Sequence, residues 1–207
     1  MNIRAATDAD CEAIRAIYNE SIPKRIATAD LEPQSLEARR AWFGNRDHAT
    51  RPVLVAEDAQ GVCAWGSFTN FKDRAAYAPT AEISVYVADR AAGRGVGRAM
   101  LDALLERAPA CGIDRILAIC FAHNEASLRL FRSRGFTEWG AIPACSTAAA
   151  AVTTLKRDAA GKPAWYSTSS IELDLPAIAS TAPFDGFIAT IATCDACACA
   201  TIFETCS

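Results

Sequence analysis

The sequence predicts an α/β (α+β) domain, a central mixed, twisted sheet flanked by helices. Three observations predict it. Residues 81–105, AEISVYVADRAAGRGVGRAMLDALL, read as a strand, a glycine-rich loop and an amphipathic helix. Residues 52–68 read as two strands joined by a tight turn. Helix and strand patterns then alternate as far as residue 139, an order that one mixed sheet accommodates.

The elements follow in order. Ile3, Arg4 and Ala5 make a short strand. Thr7 caps a helix, with Asp8 and Asp10 near its positive end and Cys11, Ile14, Ile17 and Tyr18 on its inner face. Residues 19–33 are irregular. Ser35 caps a second helix carrying Leu36, Arg39, Trp42 and Phe43, and the loop after it contains His48, read as a solvated side chain. PVLVAE (52–57), the turn DAQG and VCAWGSF (62–68) form the hairpin. A loop with Phe71, Arg74 and Tyr77 leads to the strand in which Glu82, Ser84 and Tyr86 alternate with Ile83, Val85 and Val87. Met100, Leu101, Leu104 and Leu105 mark the next helix; Pro109 frays its last turn and Gly112 supplies a left-handed cap. DRILAIC (114–120) is a buried strand. His123 and Asn124 turn into a helix bearing Ala126, Leu128, Leu130 and Phe131, Gly135 ends it, and residues 136–139 begin another strand.

The glycine-rich loop carries chemistry. A turn of this kind opening a helix leaves backbone N–H groups without intrahelical partners at the positive end of the helix dipole, which suits a phosphate or pyrophosphate. Arg94 and Arg98 add positive charge. The spacing G-R-G-V-G is not the G-x-G-x-x-G of a dinucleotide site, and Gly97 is followed by Arg98, not by the Lys of a nucleoside-triphosphate loop. Read alone, the loop also fits a plain strand-to-helix turn.

Composition bounds the function. A chain of 207 residues, 51% apolar, can bury a sizeable core. A net charge of −3 argues against a nucleic-acid protein. No stretch is long and apolar enough to span a membrane, and MNIRAATDADCEAI has no signal-peptide pattern. Cys11, Cys63, Cys111 and Cys120 are scattered among apolar positions and read as buried thiols in a reducing cytoplasm. Cys194, Cys197, Cys199 and Cys206 lack a second paired knuckle and a nearby His, so no metal site is assigned.

Residues 3–139 resemble the GNAT superfamily of acyl-CoA N-acyltransferases, and within it the phosphinothricin/methionine sulfoximine N-acetyltransferase branch. The segments that carry the resemblance are IRAATDADCEAIRAIYNESI, LEARRAWF, PVLVAEDAQGVCAWGSF, AAYAPTAEISVYV, GRGVGRAMLDALLERA and NEASLRLFRSRGF. The resemblance implies acetyl-CoA as co-substrate in a cleft where two parallel strands splay. Its pantetheine would pair with the backbone of Val85, Tyr86 and Val87, and its pyrophosphate would sit on the amides of Gly93, Arg94, Gly95, Val96, Gly97 and Arg98. Asn124 would lie beside the pantetheine arm, or cap its helix, or do both. Ala92 stands where the superfamily usually has Gln or Arg, which implies weaker cofactor affinity and not its loss.

Glu82 resembles the family's glutamate in a T-x-E-x-S-V-Y-V context and is the candidate general base that deprotonates the acceptor amine. A backbone N–H near Val85 would hold the tetrahedral oxyanion. Phe131 stands where many members carry a tyrosine, so no general acid is assigned. Arg74 and Tyr77 fall in the loop such enzymes use beside the acceptor, where Arg74 could meet a carboxylate. The reading is an N-acetyltransferase for a small amino acid or analogue. The alternatives are a catalytically impaired acyl-CoA-binding protein and a protein N-acetyltransferase. The expected partners are the small amine and a second copy of the chain.

Residues 1–140 are expected to form the acetyltransferase domain and 141–207 an atypical Ala/Thr/Cys-rich segment. The family would continue past Trp139 with a closing hairpin, whereas this chain continues AIPACSTAAAAVTTLKRDAAGKPAW with no clean period. SIELDL (170–175) alternates like a strand and is the expected substitute. A shifted reading frame in GC-rich DNA is one origin for such a composition, and an intact frame in the source gene would remove that idea.

Overall fold

The computed structural model describes residues 1–146 and 149–158. Seven strands make one sheet: β1 (Asn2–Ala5), β2 (Val53–Asp58), β3 (Gly61–Asn70), β4 (Thr80–Val87), β5 (Arg115–Phe121), β6 (Thr137–Ser146) and β7 (Ala149–Asp158). Their spatial order is β1-β2-β3-β4-β5-β7-β6, and β4–β5 is the parallel pair among antiparallel ones. Four helices flank it: α1 (Cys11–Ser21), α2 (Leu36–Gly44), α3 (Val96–Arg107) and α4 (Glu125–Arg132).

Strand alternation decides which side chain faces which layer. Directly opposed residues share a face, so the pairs Trp65–Tyr86, Ser67–Ser84 and Thr69–Glu82 line one side of the sheet, and Gly66–Val85 and Phe68–Ile83 the other. The second side is the larger core, where Phe68 and Ile83 meet Met100, Leu101 and Leu104 of α3 and Leu128 of α4. Gly66 is required for this approach: a Cβ there would come within 2.7 Å of Leu104 Cδ1 and 3.0 Å of the Ser84 carbonyl. The first side packs Ile14 and Ile17 of α1 and Phe43 of α2 against Val53, Val55 and Trp65.

Local chemistry sets the helix ends. The Ser35 hydroxyl accepts from the Ala38 N–H at 3.0 Å, as expected of an N-cap. Thr7 precedes a 3₁₀ turn, Asp8–Asp10, that runs into α1, so the first helix starts a turn later than expected. α3 stops at Arg107, Pro109–Cys111 forms a 3₁₀ turn, and Gly112 takes φ 69°. His48 is not simply solvated: its Nε2 lies 3.0 Å from the Phe43 carbonyl and its ring packs on Phe43.

Asp10 ties β1 to the start of α1. Its carboxylate accepts from both Arg4 guanidinium N–H groups, at 2.7 and 2.8 Å, and from the Thr7 N–H at 2.8 Å. These donors favour the charged form and hold the carboxyl at about 2, below its ordinary 3.8. A depressed carboxyl stabilises the fold above its unfolded pKa and loses that contribution as pH falls toward the folded value. Asp10→Asn is therefore expected to cost roughly 2 kcal/mol at neutral pH. Urea midpoints should show the gap to wild type closing between about pH 4 and about pH 2; a gap independent of pH would contradict the assignment.

The closing hairpin is a correction. The expected boundary at residue 140 falls inside β6, and β7 lies between β5 and β6, paired with β5 from Arg115–Asp158 to Phe121–Val152. The Ala/Thr run hides its period because small residues give little apolar contrast, while Val152, Thr153 and Thr154 still suit a pleated strand. The SIELDL segment and Cys194, Cys197, Cys199 and Cys206 lie outside the described residues. Among the described residues, no helix is long and apolar enough to cross a membrane, and no cluster of His, Cys, Asp and Glu could hold a metal ion.

Candidate active site

β4 and β5 pair only at Thr80–Arg115, Ala81–Ile116 and Glu82–Leu117. Beyond that register β4 stays with β3 as far as Val87, and β5 stays with β7 as far as Phe121, so the two parallel strands part. The facing edge of β4 then presents backbone donors and acceptors to a cleft. Residues 83–86 line it on one side, and Cys120, Phe121, Asn124, Ser127 and Phe131 on the other. Such an edge suits an extended ligand with its own amides.

The loop at residues 22–34 roofs the cleft. Asn124 caps α4, its Oδ1 accepting from the Ser127 N–H at 3.1 Å, and its Nδ2 donates to the Ile26 carbonyl at 2.7 Å. One side chain thus fixes both the helix start and the roof. The Lys24–Asp89 ion pair and the Asp89 N–H donated to Glu20 at 2.9 Å hold the other side of the roof.

At the foot of β4 the glycine loop opens α3. Gly93 and Gly95 take φ 75° and 79°, where a side chain is strained, and no atom would obstruct a Cβ at either. The first hydrogen bond of α3 runs from the Ala99 N–H to the Gly95 carbonyl at 3.1 Å, so the amides ahead of it are left for an anion or water. Arg94 and Arg98 are exposed beside them. Gly97 differs from its neighbours: a Cβ there makes ordinary contacts, 3.4 Å to Val87 and 3.6 Å to Leu130, so backbone strain centres on Gly93 and Gly95.

Glu82 lies on the α1–α2 side of the sheet, opposite Thr69, half-buried and without a hydrogen bond or ion pair among the described residues. Burial pushes its carboxyl above the ordinary range, with Lys72 opposing. The same face, one step along, holds a second cavity of about 260 Å³. Ser67, Thr69, Ser84 and Tyr86 form its floor, and Tyr18, Arg39, Trp42 and Trp65 its walls. The two cavities share Ser84 and Tyr86. Cys120 in the cleft is no competing nucleophile, since burial pushes its thiol up to about 12.

The predicted residues therefore fall in four places, Glu82 on the α1–α2 face of β4 being one. The backbones of Val85 and Tyr86, with Asn124, line the cleft, while Val87 closes β4 just beyond it. Gly93, Arg94, Gly95, Val96, Gly97 and Arg98 form the turn at its foot. Arg74 and Tyr77 sit on an exposed loop outside the linings of both cavities. Sequence reasoning missed Arg39, Trp65 and the side chain of Tyr86. The available signal was the inner stripe Leu36, Arg39, Trp42 and Phe43, which sets an arginine among apolar positions.

The model of the acetyltransferase (GNAT) family matches residues 12–136. YwnH of Bacillus subtilis is 46% identical over 144 residues, covering 69% of this chain and 88% of YwnH. The L-methionine sulfoximine/L-methionine sulfone acetyltransferase of Pseudomonas aeruginosa is 38% identical over 143 residues, covering 69% of this chain and 83% of that protein. The crystal structure of a GNAT superfamily phosphinothricin acetyltransferase from Sinorhizobium meliloti in complex with AcCoA matches with a TM-score of 0.72 at 28% identity, covering 76% of this chain and 87% of the other. That structural match takes in a larger share of this chain than the sequence matches do, in keeping with the closing hairpin. The chain belongs to the GNAT acetyltransferase family.

Proposed function

We propose that this protein is an acetyl-CoA-dependent N-acetyltransferase that acetylates the amine of a small amino acid or analogue of the phosphinothricin/methionine sulfoximine type. The observation that carries it is that two cavities share Ser84 and Tyr86, one bordered by a free strand edge, the other small and lined by aromatic and polar groups. A cavity of about 260 Å³ has room for an amino acid. The impaired-protein reading rested on a missing closing hairpin, which β6 and β7 supply.

In this reading the pantetheine arm pairs with the β4 edge and the pyrophosphate rests on the amides of residues 93–98. The acetyl thioester then reaches the level of Ser84. Glu82 accepts a proton from the acceptor ammonium, directly or through water, and the free amine attacks the thioester carbonyl. The resulting oxyanion is held by a β4 backbone N–H near Val85. Collapse breaks the C–S bond as the nitrogen gives up its second proton to water, and the thiolate takes a proton from water, since Phe131 offers none. Arg74 and Tyr77 would approach the acceptor from the loop before β4. We place the enzyme in the cytoplasm, in keeping with free thiols at Cys11, Cys63, Cys111 and Cys120. A homodimer is supported by Trp139 and Ile142, exposed on the edge strand β6.

The test follows free thiol release from acetyl-CoA with a panel of amino acids and amines, the product being identified by mass spectrometry. Thiol release that depends on an L-amino acid or analogue, with the acetyl group on its amine, is expected. Release that no amine accelerates would contradict the proposal.

A further inference from the structure

The second cavity is lined by two side chains with buried donors that nothing among the described residues satisfies. Arg39 is 6% exposed and Trp65 2%. Arg39 Nε and Trp65 Nε1 have no hydrogen-bond partner, and the guanidinium makes no ion pair among the described residues. It sits among rings, with its carbon 4.5 Å from the centre of Tyr18, 4.7 Å from Trp42 and 5.5 Å from Trp65. Rings stabilise a cation but accept none of its N–H bonds. Buried polar groups normally find partners, and a buried charge without one is costly.

The surroundings sharpen the point. Asp30, the carboxylate lining this cavity, is already engaged: its Oδ2 accepts from the Tyr18 hydroxyl at 2.8 Å and from Gln34 Nε2 at 2.7 Å. Arg46 stacks on Trp42 at 4.5 Å and adds charge of the same sign. Burial, with Arg39 and Arg51 nearby, holds Arg46 at about 10. The cavity therefore combines an arginine that no carboxylate pairs with and two orphaned donors in an aromatic frame.

We propose that Arg39, with the Trp65 indole N–H, is the oxyanion-binding end of the acceptor site and holds a carboxylate or phosphinate of the amine being acetylated. This rests on the acceptor reading given above and names the group that recognises the acceptor. Arg39 is a binding residue and takes no part in proton transfer. A planar fork fixed before the ligand arrives matches an oxyanion in two bonds and rejects an analogue lacking it.

The experiment uses the full chain, acetyl-CoA and three acceptors. L-Phosphinothricin has an α-carboxylate and a phosphinate, L-methionine an α-carboxylate alone, and L-methioninamide neither. In R39M, kcat/KM for L-phosphinothricin is expected to fall about 10–100-fold, chiefly through KM. R39K keeps the charge but not the fork and should lose less. Acetyl-CoA affinity by calorimetry should be unchanged in both, and L-methioninamide should be nearly unaffected. Loss confined to L-phosphinothricin assigns the phosphinate; loss shared with L-methionine assigns the α-carboxylate. Equal loss on all three acceptors, or none, overturns the proposal. If R39M loses acetyl-CoA binding through misfolding, R39K decides on the same ratios.

A second readout separates this claim from the one beneath it. Trp42 and Trp65 flank Arg39, so L-phosphinothricin binding should change tryptophan fluorescence, with weaker half-saturation in R39K. A fluorescence response that needs Arg39, without acetyl transfer to any amine, would sink the acetyltransferase reading and sustain this site. Acetyl transfer that is indifferent to Arg39 would do the reverse.

Discussion

Glu82→Gln is expected to lower kcat with the best acceptor by about 10²–10⁴-fold and to leave acetyl-CoA affinity nearly unchanged. Glutamine keeps the shape and hydrogen-bonding reach but cannot take a proton. The ligand's hold comes from the β4 edge and the turn at residues 93–98, which the substitution does not touch. Burial raises the Glu82 carboxyl, and a base works only when deprotonated. The wild-type rate should therefore fall as pH drops through a value above the ordinary carboxylate range, and Glu82→Gln should lack that limb. Near-wild-type turnover in the variant would show that the proton leaves through water and that the protein's part is to hold amine and thioester together.

Gly95→Val is expected to weaken acetyl-CoA binding by about 10–100-fold, because a β-branched residue at positive φ costs about 1–3 kcal/mol and turns the following amides away from the pyrophosphate. Gly95 sits at φ 79° immediately before α3, so valine strains the backbone there and sets a side chain in the space beside the proposed pyrophosphate position. Gly97→Val should also weaken binding, by blocking the approach of the pyrophosphate, since the Cβ itself makes only ordinary contacts with the protein. Isothermal calorimetry with acetyl-CoA reads both. Equal affinity in Gly95→Val would mean that the turn does not carry the pyrophosphate.

What the sequence disclosed was what chain-local chemistry determines. Alternation placed Glu82, Ser84 and Tyr86 on one face of β4, the glycine spacing marked a turn opening a helix, and Asn124 stood out as a helix start; the structure has each of these elements. The parting of β4 from β5 was implied only by resemblance, because it arises from what each strand pairs with on its far side. β7 escaped notice because Ala and Thr carry little periodic contrast, so its place beside β5 depends on a partner far away in the chain. Arg39 was seen on the inner stripe of α2, but its meaning emerged only once Trp65 from β3 and Tyr18 from α1 were found around it.

The most direct test of the account is a crystal structure of the protein with CoA and L-methionine sulfoximine. The account predicts the pantetheine arm hydrogen-bonded to the β4 edge between β4 and β5, and the pyrophosphate on the amides of residues 93–98. It also predicts the acceptor amine within one hydrogen bond or one water of Glu82, with the rest of the acceptor in the cavity of Arg39 and Trp65. CoA bound away from the β4–β5 cleft, or an amine on the α3–α4 side of the sheet out of reach of Glu82, would contradict it.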